Sequence, residues 1–144
     1  MSTKTNKLLK AALSYASRGW PVLPLHTPNG QDGCSCGKKN CTSIGKHPRT
    51  KSGYKDGTTK RSVLKKWWKQ WPEANVGIVT GKSSNLVVLD IDRKHSGEDS
   101  LSELEQKHGI LPATLETSTG GGGRHHFFAY PDEPVKSRTA IKPD

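Results

Sequence analysis

The chain has 144 residues, 31% of them hydrophobic and 25% charged, which suits one domain with a modest core and long loops. No run approaches the roughly 18–20 apolar residues of a membrane span, and the start, MSTKTNKLLKAALSYASRGW, lacks the long apolar stretch of a secretory leader, so a cytoplasmic protein with no membrane partner is expected. The net charge of +10 is lopsided: residues 1–71 carry 15 Lys and Arg against 2 Asp and Glu, residues 72–144 carry 8 against 11, so a polyanionic partner and a cation site are expected.

In chain order, Leu8, Leu9, Ala12, Leu13 and Ala16 recur at helical spacing, and Gly19 is a natural stop just beyond. WPVLPL (Trp20 to Leu25) reads as a short strand, at an edge because of its two prolines. Residues 27–57 have no periodicity, and a loop this long needs a reason. Thr58 or Thr59 is positioned to cap a helix carrying Val63, Leu64, Trp67, Trp68 and Trp71, ended by Pro72. Leu64, Trp67 and Trp71 share one face, so at least two tryptophans belong to the core, with Trp68 the least certain of them. NVGIVTG (Asn75 to Gly81) and LVVLDID (Leu86 to Asp92) read as strands, and the short KSSN link suggests a hairpin. DSLSELEQKHG (Asp99 to Gly109) suits a short helix with Leu101 and Leu104 inward. TLETST (Thr114 to Thr119) and HHFFAY (His125 to Tyr130) suit two strands joined through four glycines, and the polar tail from Pro131 has no clear element. The order implies a mixed α+β domain.

Three constellations carry chemistry. Cys34, Cys36, Cys41 and His47 form C-x-C-x4-C-x5-H, a full ligand set for tetrahedral zinc, with Gly33, Gly37 and Gly45 letting the backbone wrap tightly. Four protein ligands leave no open position, so the site is structural, and zinc explains the long loop. Next, Asp90 and Asp92 alternate at the end of an apolar strand and share a face. Two such acids repel unless a cation sits between them, and a divalent metal suits hard carboxylate oxygens. The motif is not specific alone, because Arg93 and Lys94 can neutralise solvated acids there. Finally, TSTGGGGRHHFF (Thr117 to Phe128) combines backbone N–H groups free to approach phosphate with Arg124, a bidentate phosphate partner. His125 and His126 must point to opposite faces of their strand, and the pattern leaves open which one meets the acids.

Taken in order, AALSYASRGWPVLPL, CSCGKKNCTSIGKHPRTKSGYKDGTT, WWKQWPEANVGIVTG, LVVLDID and TSTGGGGRHHFF resemble the primase-polymerase domain of the archaeo-eukaryotic primase superfamily, found in plasmid, phage and mobile-element replication proteins. The resemblance covers about residues 8–130. It implies an RNA-recognition-like core with its active site on the sheet, a smaller α/β unit beside it, and residues 27–57 as a zinc-binding insertion, so that residues 1–144 form one primase-polymerase-like domain.

It further implies metal-dependent nucleotidyl transfer in DNA replication, as primer synthesis or DNA polymerisation. Asp90 and Asp92 would be the catalytic acids, holding Mg²⁺ or Mn²⁺, and His125 rather than His126 the residue at the nucleotide phosphate. Ser118, Gly120, Gly121, Gly122, Gly123 and Arg124 would complete the nucleotide site, and Cys34, Cys36, Cys41 and His47 would bind Zn²⁺. Lys46, Arg49, Lys51, Lys55 and Lys60 are candidates for the track along template or primer phosphates. The expected partners are nucleoside triphosphates, single-stranded or primed DNA, and a helicase domain or protein. The family has a third carboxylate on a later strand. Asp144 lies near its place, and the expected position falls just beyond, as in a truncated domain. The competing reading is therefore a catalytically incomplete, zinc-stabilised module that binds nucleic acid or nucleotide.

Overall fold

The computed structural model describes residues 6–30, 32–139 and 141. Asp144, the candidate third acid, lies outside the described residues. The chain is a mixed α/β protein with two small antiparallel sheets, and its contacts fall into two compact units, residues 1–79 and 80–144.

In the first unit, α1 (Lys7–Ser17) is capped by Asn6, whose side chain accepts from the N–H groups of Leu8 and Leu9. Its apolar positions bury Ala12 and Ala16. Strand β1 (Val22–Leu25) pairs antiparallel with β2 (Asn75–Ile78), with Val22 opposite Ile78 and Leu25 opposite Asn75. Helices α1 and α2 (Arg61–Gln70) pack on the two strands; Pro24 has no N–H to donate, and its carbonyl accepts from the Arg49 N–H. The core is Ala12, Ala16, Val22, Leu64, Trp68 and Ala74.

Two expectations for α2 need correction. Neither Thr58 nor Thr59 is its cap: Lys60 occupies that position, and the Thr58 hydroxyl instead accepts from the Lys60 N–H at 3.1 Å. The fully buried tryptophan is Trp68, 2% exposed, while Trp67 and Trp71 pack at the core margin. Leu64 and Trp68 are four residues apart and define the inward stripe. The Trp68 indole also donates to the Ala74 carbonyl at 3.1 Å, which makes its burial affordable.

Residues 27–57 are not a free loop. The chain returns along β1, with His26 N–H donating to the His47 carbonyl and Arg49 N–H to the Pro24 carbonyl, both at 2.9 Å. A single-turn 3-10 helix, Gly53–Asp56, follows, and then Thr58 and Val22 exchange two backbone bonds at 3.0 Å.

In the second unit, β3 (Leu86–Ile91) pairs with β5 (Arg124–Ala129), which pairs with β4 (Leu115–Ser118), all antiparallel. The expected hairpin between the strands at 75–81 and 86–92 does not form: β2 pairs with β1, and β3 with β5. The 82–85 turn exists, but it closes only Gly81 on Leu86. Helix α3 (Gly97–His108) packs along β3 and buries Leu101. The expected pairing of the strands flanking the glycines is observed as β4 with β5. Among the described residues, no helix is long and apolar enough to cross a membrane.

Candidate metal and nucleotide sites

The sulfurs of Cys34, Cys36 and Cys41 and a ring nitrogen of His47 all lie within 4.8 Å of one another. His47 Nε2 is 3.5 Å from both Cys34 Sγ and Cys41 Sγ. A tetrahedron with Zn–S of about 2.3 Å and Zn–N of about 2.0 Å has an S···N edge of roughly 3.5 Å, so the donor set fits zinc in number, chemistry and size. The Gly45 amide lowers the Cys34 thiol to about 6, helped by the Cys36 amide and by His47 and against the effect of its burial, which suits a thiolate ligand.

A second layer holds this cluster to β1. The Ser35 hydroxyl lies 2.8 Å from His26 Nδ1 and accepts from Arg49 Nη2 at 2.9 Å. Arg49 also donates from Nε to the Leu25 carbonyl at 3.0 Å and from Nη2 to Thr27 Oγ1. The Arg49 guanidinium is therefore a structural tie, a role its place among the basic residues did not suggest. Lys46, Lys51, Lys55 and Lys60 are all exposed. The first unit holds 15 Lys and Arg against 3 Asp and Glu.

On the sheet of the second unit, strand register decides which histidine meets the acids. Asp90 sits directly opposite His125, and Leu89 opposite His126. Asp90 Oδ1 is 3.5 Å from His125 Nε2, and both side chains are accessible. Ile91, between the two acids, is 4% exposed, so Asp90 and Asp92 stand on the solvent side. His126 is 7% exposed, on the other face, with Nδ1 3.7 Å from Glu116 Oε2. Thr117 pairs with His125 and extends the row of Asp90 and His125.

The two acids are not equivalent. Asp92 caps the 3-10 turn Arg93–His95, its Oδ1 accepting from the Lys94 N–H at 2.9 Å. Its Oδ2 is 3.7 Å from His95 Nε2. Among the described residues, Asp90 has a single charged partner, His125. Among the described residues, the three cysteines and His47 are the one group of three or more such side chains whose ligand atoms converge. Asp90, Asp92 and His125 do not converge in that way.

The glycine run divides by physical need. Gly122 has φ of +83°, and a Cβ on Gly123 would lie 2.3 Å from the Ile91 carbonyl oxygen, so these two are required by the turn itself. The turn closes through Thr119, whose Oγ1 accepts from Gly123 N–H and whose carbonyl accepts from Gly122 N–H, both at 3.0 Å. Gly120 and Gly121 are exposed, and a Cβ on either would meet open space. Among the described residues, none accepts from their N–H groups.

Arg124 does not stand free beside His125. It lies opposite Ile91, on the face away from His125, and donates to both Glu98 oxygens at 2.9 and 2.8 Å and to Glu116 at 3.0 Å. These carboxylates, Glu98 foremost, raise its pKa still further. Ser118 pairs with Arg124 and shares that face. The cation beside the glycines is Arg93 instead: its Cδ and Nη1 lie 3.4 Å from where a Gly122 Cβ would be. Its position one residue past the acid pair was the available signal, but in sequence it reads only as a charge balancing the acids.

A model of the family described as bifunctional DNA primase/polymerase, N-terminal, matches residues 12–143. No curated protein and no solved structure matches the chain.

Proposed function

The chain belongs to the bifunctional DNA primase/polymerase N-terminal family, and from that membership we propose that it performs metal-dependent nucleotidyl transfer in DNA replication, with Asp90, Asp92 and His125 at the centre. The observation that carries this reading is the row across β3, β5 and β4: accessible Asp90 faces His125 beside a glycine turn with two unspent N–H groups. Family membership implies nucleotide and DNA binding.

Asp90 and Asp92 would hold Mg²⁺ or Mn²⁺, which when bound neutralises pyrophosphate and acidifies an attacking 3′-hydroxyl. His125, oriented by Asp90 at Nε2, donates from its other ring nitrogen, Nδ1, to a phosphate oxygen of the nucleoside triphosphate. The Gly120 and Gly121 N–H groups and the Arg93 guanidinium hold the remaining triphosphate oxygens. Arg124, on the other face, ties β5 to α3 through Glu98 and to β4 through Glu116. The zinc-type cluster fastens the 27–57 segment to β1, and the exposed lysines of the first unit contact DNA phosphates.

One observation favours a second reading, a module that binds nucleotide without transferring it. Asp92 already spends an oxygen on the Lys94 N–H, and the acids and His125 do not converge into a ready metal group. Titration of the chain with Mn²⁺ and a nucleoside triphosphate tests the site that both readings share. His125→Ala should weaken triphosphate binding about tenfold or more, at the scale of a charge-assisted hydrogen bond. Equal binding by wild type and His125→Ala would remove the histidine from the site.

A further inference from the structure

Every other tryptophan and tyrosine ring of the first unit has an occupation. Trp68 is buried, Trp67 lines the core margin, Trp71 lies under Arg49, and Tyr15 stacks on Trp20 with ring centroids 6.0 Å apart. Tyr54 has none. It is 66% exposed, and among the described residues no ring or cation covers it and nothing bonds its hydroxyl.

Its backbone, by contrast, is tightly held. Tyr54 sits on the 3-10 turn Gly53–Asp56. Thr50 Oγ1 donates to the Gly53 carbonyl at 2.9 Å, Ser52 N–H donates to Asp56 Oδ2 at 2.8 Å, and Gly57 N–H donates to the Tyr54 carbonyl at 3.1 Å. The turn is then anchored to the sheet by the paired bonds of Thr58 and Val22. A fixed backbone presenting a bare ring lowers the ordering cost of anything that stacks on it. The surroundings specify the charge of that partner. Residues 46–61 carry six Lys and Arg and a single acid, Asp56, whose carboxylate is engaged by Ser52.

We infer that Tyr54 is a stacking platform for a base of single-stranded DNA, with Lys51 and Lys55 on the flanking phosphates. The inference rests on the nucleic-acid side of the proposed function and adds a contact to it. Every base offers a π face, so the contact tolerates any sequence, as replication of arbitrary templates requires. A paired duplex would hide those faces, so the platform selects single strands.

The test is fluorescence anisotropy of the intact chain with a labelled oligothymidylate and an abasic deoxyribose-phosphate oligomer of equal length. Tyr54→Ala should weaken binding of oligothymidylate about tenfold, in the range of one lost stacking contact, and leave abasic binding unchanged. Tyr54→Phe should bind as wild type. Lys51→Ala and Lys55→Ala should weaken both oligomers alike and each lower the salt slope by about 0.7. If Tyr54→Ala lowers the melting temperature, Tyr54→Leu keeps bulk without a π face and gives the same comparison. Equal loss on both oligomers, or no loss on either, overturns the stacking role while leaving the nucleic-acid reading standing. No wild-type binding to either oligomer at low salt overturns both.

Discussion

At the scale of single residues, the same charge does different work depending on what it touches. Arg49 looks in sequence like one more member of a basic run, yet its guanidinium joins Leu25, Thr27 and Ser35 and lies 5.8 Å from the Trp71 ring centroid. Arg49→Ala should therefore destabilise the protein by about 2 kcal/mol, read by thermal melting, because part-buried acceptors lose a charged donor. Arg49→Lys should not restore it, since an ammonium cannot reproduce the planar fork. Lys46→Ala should leave melting unchanged and weaken DNA binding slightly. Trp68→Ala should cost about 3–5 kcal/mol through the cavity it leaves, whereas Trp68→Phe mainly orphans the Ala74 carbonyl. A Trp67→Ala protein more damaged than Trp68→Ala would contradict the observed burial. Arg124 belongs with Arg49: breaking its bonds to Glu98 and Glu116 should loosen α3 rather than abolish triphosphate binding.

At the scale of elements, periodicity served well where one face is buried. Among the described residues, the three α-helices and five strands occur close to where the sequence pattern puts them, although β4 is exposed throughout. Pairing was less legible. The 82–85 link has hairpin length, but β2 finds its partner 50 residues upstream in β1, a choice no local signal records. The tryptophan stripe was misread by one position because Trp67, Trp68 and Trp71 all fall near the inward face of α2 and only tertiary contacts rank them. The grouping of Cys34, Cys36, Cys41 and His47 was readable outright, since ligand type and spacing are local properties, and their ligand atoms lie within 4.8 Å of one another. Which histidine faces Asp90 depended on register, which β5 does not reveal because His125 and His126 are followed by Phe127 and Phe128 and neither face stands out as the apolar one. The zinc-type cluster makes an element-scale prediction. Elemental analysis should find about one zinc per chain, and chelation should expose the amides of residues 27–57 to hydrogen exchange, including Arg49 N–H on the Pro24 carbonyl. Unchanged protection after complete metal removal would mean that the hydrogen bonds to β1 suffice without the ion.

At the scale of the whole molecule, the charge asymmetry follows the two compact units. The first unit carries 15 Lys and Arg against 3 acids, and the second 8 against 10. The excess positive charge of the first unit suits a polyanionic partner, and the second unit carries Asp90 and Asp92. Affinity for single-stranded DNA should accordingly fall steeply with salt, and salt-insensitive binding would point to a different partner. The central claim concerns the Asp90 and His125 row, and the most direct measurement is incorporation of labelled nucleotide on a primed template with Mn²⁺, comparing wild type with Asp90→Asn. The substitution keeps the side chain's shape and removes the charge a divalent ion needs, while melting should hold because Asp90 is 64% exposed and, among the described residues, pairs with His125 alone. Nucleotidyl transfer predicts Mn²⁺-dependent incorporation by wild type and a loss of at least about a hundredfold in Asp90→Asn, equivalent to the several kcal/mol that a bound metal supplies. Equal incorporation by both proteins, or nucleotide binding with no incorporation by either, would contradict it, and the second result would select the binding module.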